Sequence, residues 1–136
     1  MMTSVLLVWT EIAILVALVV YLGTVVYCAR MRARHRIVAP ATTGHPEFER
    51  AYRIQQNTIE QLVAFVPAVW LFSTLVNPLF GAAIGAIWVI GRVIYAISYA
   101  RSPERRGLGF TVGFIALVVL IVGALVKAIT LLPLVA

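Results

Sequence analysis

Charge is scarce in this chain: Asp, Glu, Lys and Arg make up 12% of its 136 residues, while 62% are hydrophobic and the mean hydropathy is +1.02. A soluble globular domain carries about 25% charged residues, so that class is excluded. Cysteine is scarcer still. The single Cys28 forbids an internal disulfide and reads as a packing residue at the end of the first apolar stretch. The sequence has no serine-histidine-acid set, no glycine-rich phosphate loop, no internal repeat and no low-complexity segment. His35 and His45 stand at no metal-ligand spacing from a cysteine or carboxylate, so they are expected to be ordinary loop residues, and no metal is expected. Basic residues do not alternate with aromatics along any stripe, so no nucleic-acid partner is expected.

Hydrophobic length is what the chain has in abundance. Four apolar stretches are separated by polar or turn-forming residues, and a spanning helix needs about 20 residues, so four helices use nearly the whole chain. The expected fold is all-α: one integral membrane four-helix domain over 1–136, with helices at roughly 6–28, 47–76, 80–100 and 108–132. The first stretch lacks a basic lead-in and a small-residue cleavage site, so it is expected to remain as a permanent helix. Six arginines lie between Arg30 and Arg53 and three more between Arg101 and Arg106. Those two connections fall on one side of a four-helix protein. The positive-inside rule puts both on the cytoplasmic side and both termini on the other, and anionic lipid accounts for the net charge of +6.

Within the first helix, Trp9 is an interfacial anchor and Glu11 lies a little deeper, where a lone carboxylate is what a small proton-coupled multidrug exporter would use. The helix is followed by Arg30, Arg32, Arg34 and Arg36, alternating residues that cannot all face one way. Ala39–Pro46, with two prolines and a glycine, is the one true loop, and Thr43 or Pro46 lies close to the start of the second helix. Asn77-Pro78 reads as a tight uncharged turn, and Gly113 and Gly123 suit close helix contacts.

The second helix opens on a polar ladder. Arg53, Asn57 and Glu60 at i, i+4 and i+7 share one face, and the apolar run from Leu62 to Leu75 continues the same helix. Ionisable groups at membrane depth cost at least about 2.5 kcal/mol near the centre, which makes the ladder a functional-site candidate; the alternative is a solvated helix end. Arg92, Tyr95 and Tyr99 repeat the pattern on the third helix. By depth, Glu60 is the expected partner of Arg92 in a structural ion pair. Arginines, an amide, a carboxylate and tyrosines at one membrane surface suit a small, zwitterionic, mainly anionic ligand beside a lipid phase that concentrates an apolar second substrate. With no protein nucleophile in the cluster, the ligand must bring its own.

The strings TTGHPEFERAYRIQQNTIE and RVIYAISYARSPERRGLGF resemble the MAPEG family of membrane-associated glutathione enzymes, in the pattern of its microsomal glutathione transferase and leukotriene-forming branch. The resemblance implies a homotrimer that binds glutathione between neighbouring subunits near the cytoplasmic helix ends. Arg53, Gln55, Asn57 and Glu60 match helix-two glutathione ligands, Tyr95 and Tyr99 match those of helix three, and Arg32 and Arg36 match first-helix and loop arginines. Arg106 matches the arginine assigned to the cysteine thiolate of glutathione, a role that fits a thiol whose ordinary pKa is about 8.5. Arg105 adjoins it, and a one-residue slip exchanges the two. Gln61 departs from the pattern, standing where the leukotriene-forming relatives carry tyrosine.

The implied function is a glutathione transferase or glutathione-dependent peroxidase acting on lipophilic electrophiles or hydroperoxides, with glutathione as co-substrate and no metal. One alternative is a non-catalytic lipid-binding member, which is marked by loss of the glutathione ligands kept here. The other is the exporter resting on Glu11.

Overall fold

The computed structural model describes residues 2–132. Among the described residues there are four long helices, α1 (Met2–Arg34), α2 (Pro46–Leu75), α3 (Pro78–Arg101) and α4 (Gly107–Leu131), with a 3-10 turn at Pro103–Arg106. Each is long and apolar enough to cross a membrane, the last together with the turn that leads into it. No strand occurs among the described residues.

The chain itself sets the helix ends. Asn77 caps α3, its side-chain oxygen accepting from the Leu79 and Phe80 amides at 2.9 and 3.0 Å, and Pro78 takes the first helical position, where its missing N–H is no loss. The Asn-Pro pair is therefore a helix start, and α3 begins two residues before the expected Phe80. At the head of α2 the cap is His45, whose Nδ1 accepts from the Glu47 amide, again with proline following. Neither Thr43 nor Pro46 does the capping. α1 runs six residues past Cys28, because Ala29–Arg34 contains no helix breaker and its alanines, arginines and methionine are good helix formers. The helix stops where Arg36 turns left-handed at φ 53°. α2 continues through Pro67, which neighbouring helices and side chains make tolerable in a spanning helix.

α2 and α3 form the inner pair. They contact one another and both contact α1 and α4, while α1 and α4 scarcely meet. The Phe65 and Trp88 rings stack between them at 4.0 Å, with Leu62, Val69, Leu117 and Leu120 around. Outward apolar side chains such as Leu15 and Val19 stay exposed, as a lipid-facing surface requires. In such a solvent the hydrophobic effect does not draw helices together, and close packing of small residues must do so. Gly91, Gly109 and Gly113 fill this role where α3 crosses α4: a Cβ on Gly91 would lie 2.7 Å from the Gly113 nitrogen. Gly123 makes room instead for the Phe72 ring. At the other end, buried Thr10 donates to the Ser73 hydroxyl at 2.9 Å and ties α1 to α2.

Candidate functional site

The polar residues gather at the end of the bundle where α1 ends, α2 begins and α3 passes into the 3-10 turn. They do so in two separate hollows. The first, about 330 Å³, is lined by Asn57, Tyr95, Arg106, Gly107, Phe110 and Thr111. Asn57 donates its amide hydrogen to the Tyr95 hydroxyl at 2.5 Å, and Arg106 donates to the Tyr99 hydroxyl at 3.3 Å while lying 5.3 Å from that ring's centre. Tyr95 and Tyr99 sit one turn apart on α3 with ring centres 5.6 Å apart, so three elements deliver a guanidinium, two phenols and an amide to one place. Arg106 is exposed and free to meet a ligand. Arg105 lines neither of these hollows, whereas Arg106 lines the first.

The second hollow, about 640 Å³, lies between α1, the loop and α2. Arg32, Arg36 and Gln55 line it, with Cys28, Tyr52 and Val38. Arg32 donates to the Ala41 carbonyl at 2.8 Å and lies 4.6 Å above the Phe48 ring, an arrangement that orders the loop as well as presenting charge. Of the remaining ladder, Arg53 and Glu60 are exposed on α2 and line neither hollow. A single chain thus joins Asn57, Tyr95, Tyr99 and Arg106, separately joins Arg32, Arg36 and Gln55, and leaves Arg53 and Glu60 pointing outward.

The expected Arg92–Glu60 ion pair does not form. Arg92 is fully buried and donates from Nη2 to the Thr58 hydroxyl at 2.7 Å, with its guanidinium 4.1 Å from the centre of the Tyr95 ring. Depth along the membrane points Arg92 to α2, and rotation of α2 about its axis decides which residue it meets. Glu60 lies two residues beyond Thr58, about 200° round the helix, and so faces away. Thr58 was missed because an uncharged hydroxyl among the stronger polar groups of the ladder carries no functional signal of its own; it passes its own hydrogen to the Ile54 carbonyl at 2.6 Å and accepts from Arg92. Phe110 and Thr111 were missed for the same reason. Glu11 is exposed on the outside of α1, so it does not face a passage through the bundle.

Comparison with known proteins decides the family. The MAPEG family model matches residues 7–126. The chain belongs to the MAPEG family. With four membrane-capable helices, this MAPEG protein is an integral, multi-pass membrane protein. It is 40% identical over 126 residues to the uncharacterized protein sll1147 of Synechocystis sp., covering 93% of this chain and 92% of the relative. It is also 35% identical to the Homo sapiens protein named microsomal glutathione S-transferase 2, over 71% of this chain and 66% of the relative. The leukotriene C4 synthase of Cavia porcellus is 38% identical over 57% of this chain and 51% of the relative. The chain therefore spans somewhat under two thirds of the first of these two named enzymes and about half of the second.

Proposed function

We propose that this MAPEG protein is a membrane-bound glutathione transferase or glutathione-dependent peroxidase, acting on lipophilic electrophiles or hydroperoxides. The observation that carries the reading is the placing of Arg106 beside Tyr99, in one hollow with Asn57 and Tyr95. A free thiol is only a few per cent ionised at neutral pH. A guanidinium held against the sulfur favours the thiolate, and each unit of pKa lowering corresponds to about 1.4 kcal/mol, or tenfold in thiolate. The sulfur then forms its bond to an electrophilic carbon, whose leaving group departs, or to a hydroperoxide oxygen, releasing the alcohol. The γ-glutamyl and glycyl carboxylates suit arginine forks, which bind carboxylates in plane through two hydrogen bonds.

The division of the ligand set between two hollows supports a site shared by neighbouring copies. Arg32, Arg36 and Gln55 of one chain would complete the set begun by Asn57, Tyr95, Tyr99 and Arg106 of another. Arg53 and Glu60, outward in a single chain, would then face the seam. This is the reading of a homotrimer, with the site and both basic connections on the cytoplasmic side and the termini opposite.

The test is glutathione binding followed by ultraviolet difference absorption of the thiolate, in the detergent-purified protein and in Arg106→Ala. Glutathione should still bind to the variant, while the thiolate band fades and turnover falls by about tenfold per unit of pKa lost. Unchanged turnover removes Arg106 from the chemistry. A failure of the parent protein to bind glutathione at all removes the enzyme reading.

A further inference from the structure

The loop that closes the arginine-bearing hollow carries a second cluster, which glutathione chemistry does not use. Arg36 turns the chain back at the end of α1, and residues 35–45 return to the head of α2. The turn lays the His35 ring on the His45 ring, centres 3.5 Å apart and planes within 12°. His35 Nε2 is 2.8 Å from Glu47 Oε2. One ligand atom from each of His35, His45 and Glu47 can be chosen so that all lie within 4.8 Å of one another. The His35 side chain is 16% exposed, so the group is a partly enclosed knot between two helix ends and not a set of free surface side chains. The sequence spacing hid it: the histidines are ten positions apart, and a loop left-handed at both Arg36 and Gly44 brings them together.

We propose that His35, His45 and Glu47 bind a divalent transition metal of the zinc, nickel or copper class. Two imidazoles and a carboxylate are the donors such ions take, and three protein ligands leave a fourth position for water. With metal–nitrogen and metal–oxygen bonds of about 2.0–2.2 Å in a tetrahedral arrangement, adjacent ligand atoms stand about 3.3–3.6 Å apart. The His35–Glu47 separation of 2.8 Å is a hydrogen-bond distance, so the pair opens by roughly half an ångström as the ion takes the place of the proton the two now share. Rotation of the His45 ring out of the stack brings the third ligand in, using the nitrogen not engaged in capping α2. Arg34 lies beside the carboxylate, 4.0 Å away, and its side chain is 67% exposed and free to swing clear. The bound ion would fasten the end of α1 to the start of α2. Arg36, Ile37 and Val38, which line the larger hollow, hang from that junction.

The experiment is calorimetric titration of zinc alone into chelator-stripped, tag-free protein in detergent, with glutathione absent because its thiol binds zinc. One saturable site per chain and a raised unfolding temperature are expected. His45→Asn keeps a strong helix-capping side chain and Glu47→Gln keeps the shape. Each should weaken zinc at least about tenfold, the loss typical even of an outer-shell partner. Cys28→Ser should leave the affinity unchanged. No saturable binding at millimolar zinc, unchanged affinity in His45→Asn, or loss of binding in Cys28→Ser would each overturn the proposal.

Discussion

The crossing of α3 and α4 fixes where Tyr95 stands, and one methyl group is enough to disturb it. A Cβ on Gly109 would lie 2.7 Å from the Tyr95 Cα and 2.8 Å from the Gly91 carbonyl oxygen, and nearer still to the Tyr95 nitrogen. Carbon atoms rest about 3.5–4.0 Å apart, so Gly109→Ala forces the start of α4 away from α3 by about 1 Å. Nothing soft lies in the way, because all three atoms belong to the backbone. Overpacking of this kind costs about 1–3 kcal/mol. Taken up by α3, the same separation shifts Tyr95 relative to Asn57 on α2 and carries their 2.5 Å hydrogen bond toward the limit of about 3.5 Å beyond which such a bond no longer counts. With a net hydrogen bond contributing about 0.5–1.5 kcal/mol, glutathione affinity should fall about two- to tenfold. The control is Gly23→Ala on α1, where a Cβ meets nothing within 4 Å and the exchange should stabilise by about 0.5–1 kcal/mol. Thermal unfolding in detergent and glutathione titration, run on both variants, decide the matter. If Gly109→Ala matches Gly23→Ala in both, close helix approach does not position the tyrosine.

Two other perturbations address the neighbouring elements. Arg92→Leu removes a buried guanidinium held by a hydroxyl and an aromatic ring, and with it the cost of keeping that charge out of water. Thermal stability should therefore hold while glutathione binding weakens by up to about thirtyfold, the equivalent of a desolvated cation–π contact of about 2 kcal/mol bracing Tyr95; lost stability with intact binding would make Arg92 purely structural. For the shared site, chains carrying Arg32→Ala and chains carrying Arg106→Ala, each depleted of activity alone, should regain turnover when co-expressed, because a mixed assembly contains seams with both arginines. Absence of any recovery would place both arginines in the site of one chain.

Much of the fold was legible because a membrane leaves few choices. Backbone groups in hydrocarbon must bond within a helix, so apolar runs of the right length become helices wherever no breaker interrupts them. The two basic connections, the polar ladder on α2 and the tyrosines on α3 were likewise set by position along the chain. The caps were only half legible. Asn77-Pro78 carries the composition of a turn and that of a helix start, and only the hydrogen bonds of Asn77 distinguish the two.

What the sequence could not give was rotation and return. Helical periodicity says that Arg53, Asn57 and Glu60 share a face, but not whether that face meets α3 or looks outward; the packing of α2 on α3, with Phe65 stacked on Trp88, presents Thr58, and not Glu60, to Arg92. Spacing along the chain says nothing of a loop that doubles back, and the loop that is left-handed at Arg36 and Gly44 sets His35 on His45. The sequence by itself determined a membrane-spanning all-α protein and the chemical kinds of residue at one of its ends. Only the tertiary structure decided which of them meet, because the direction of a side chain depends on how its helix is turned against its neighbours.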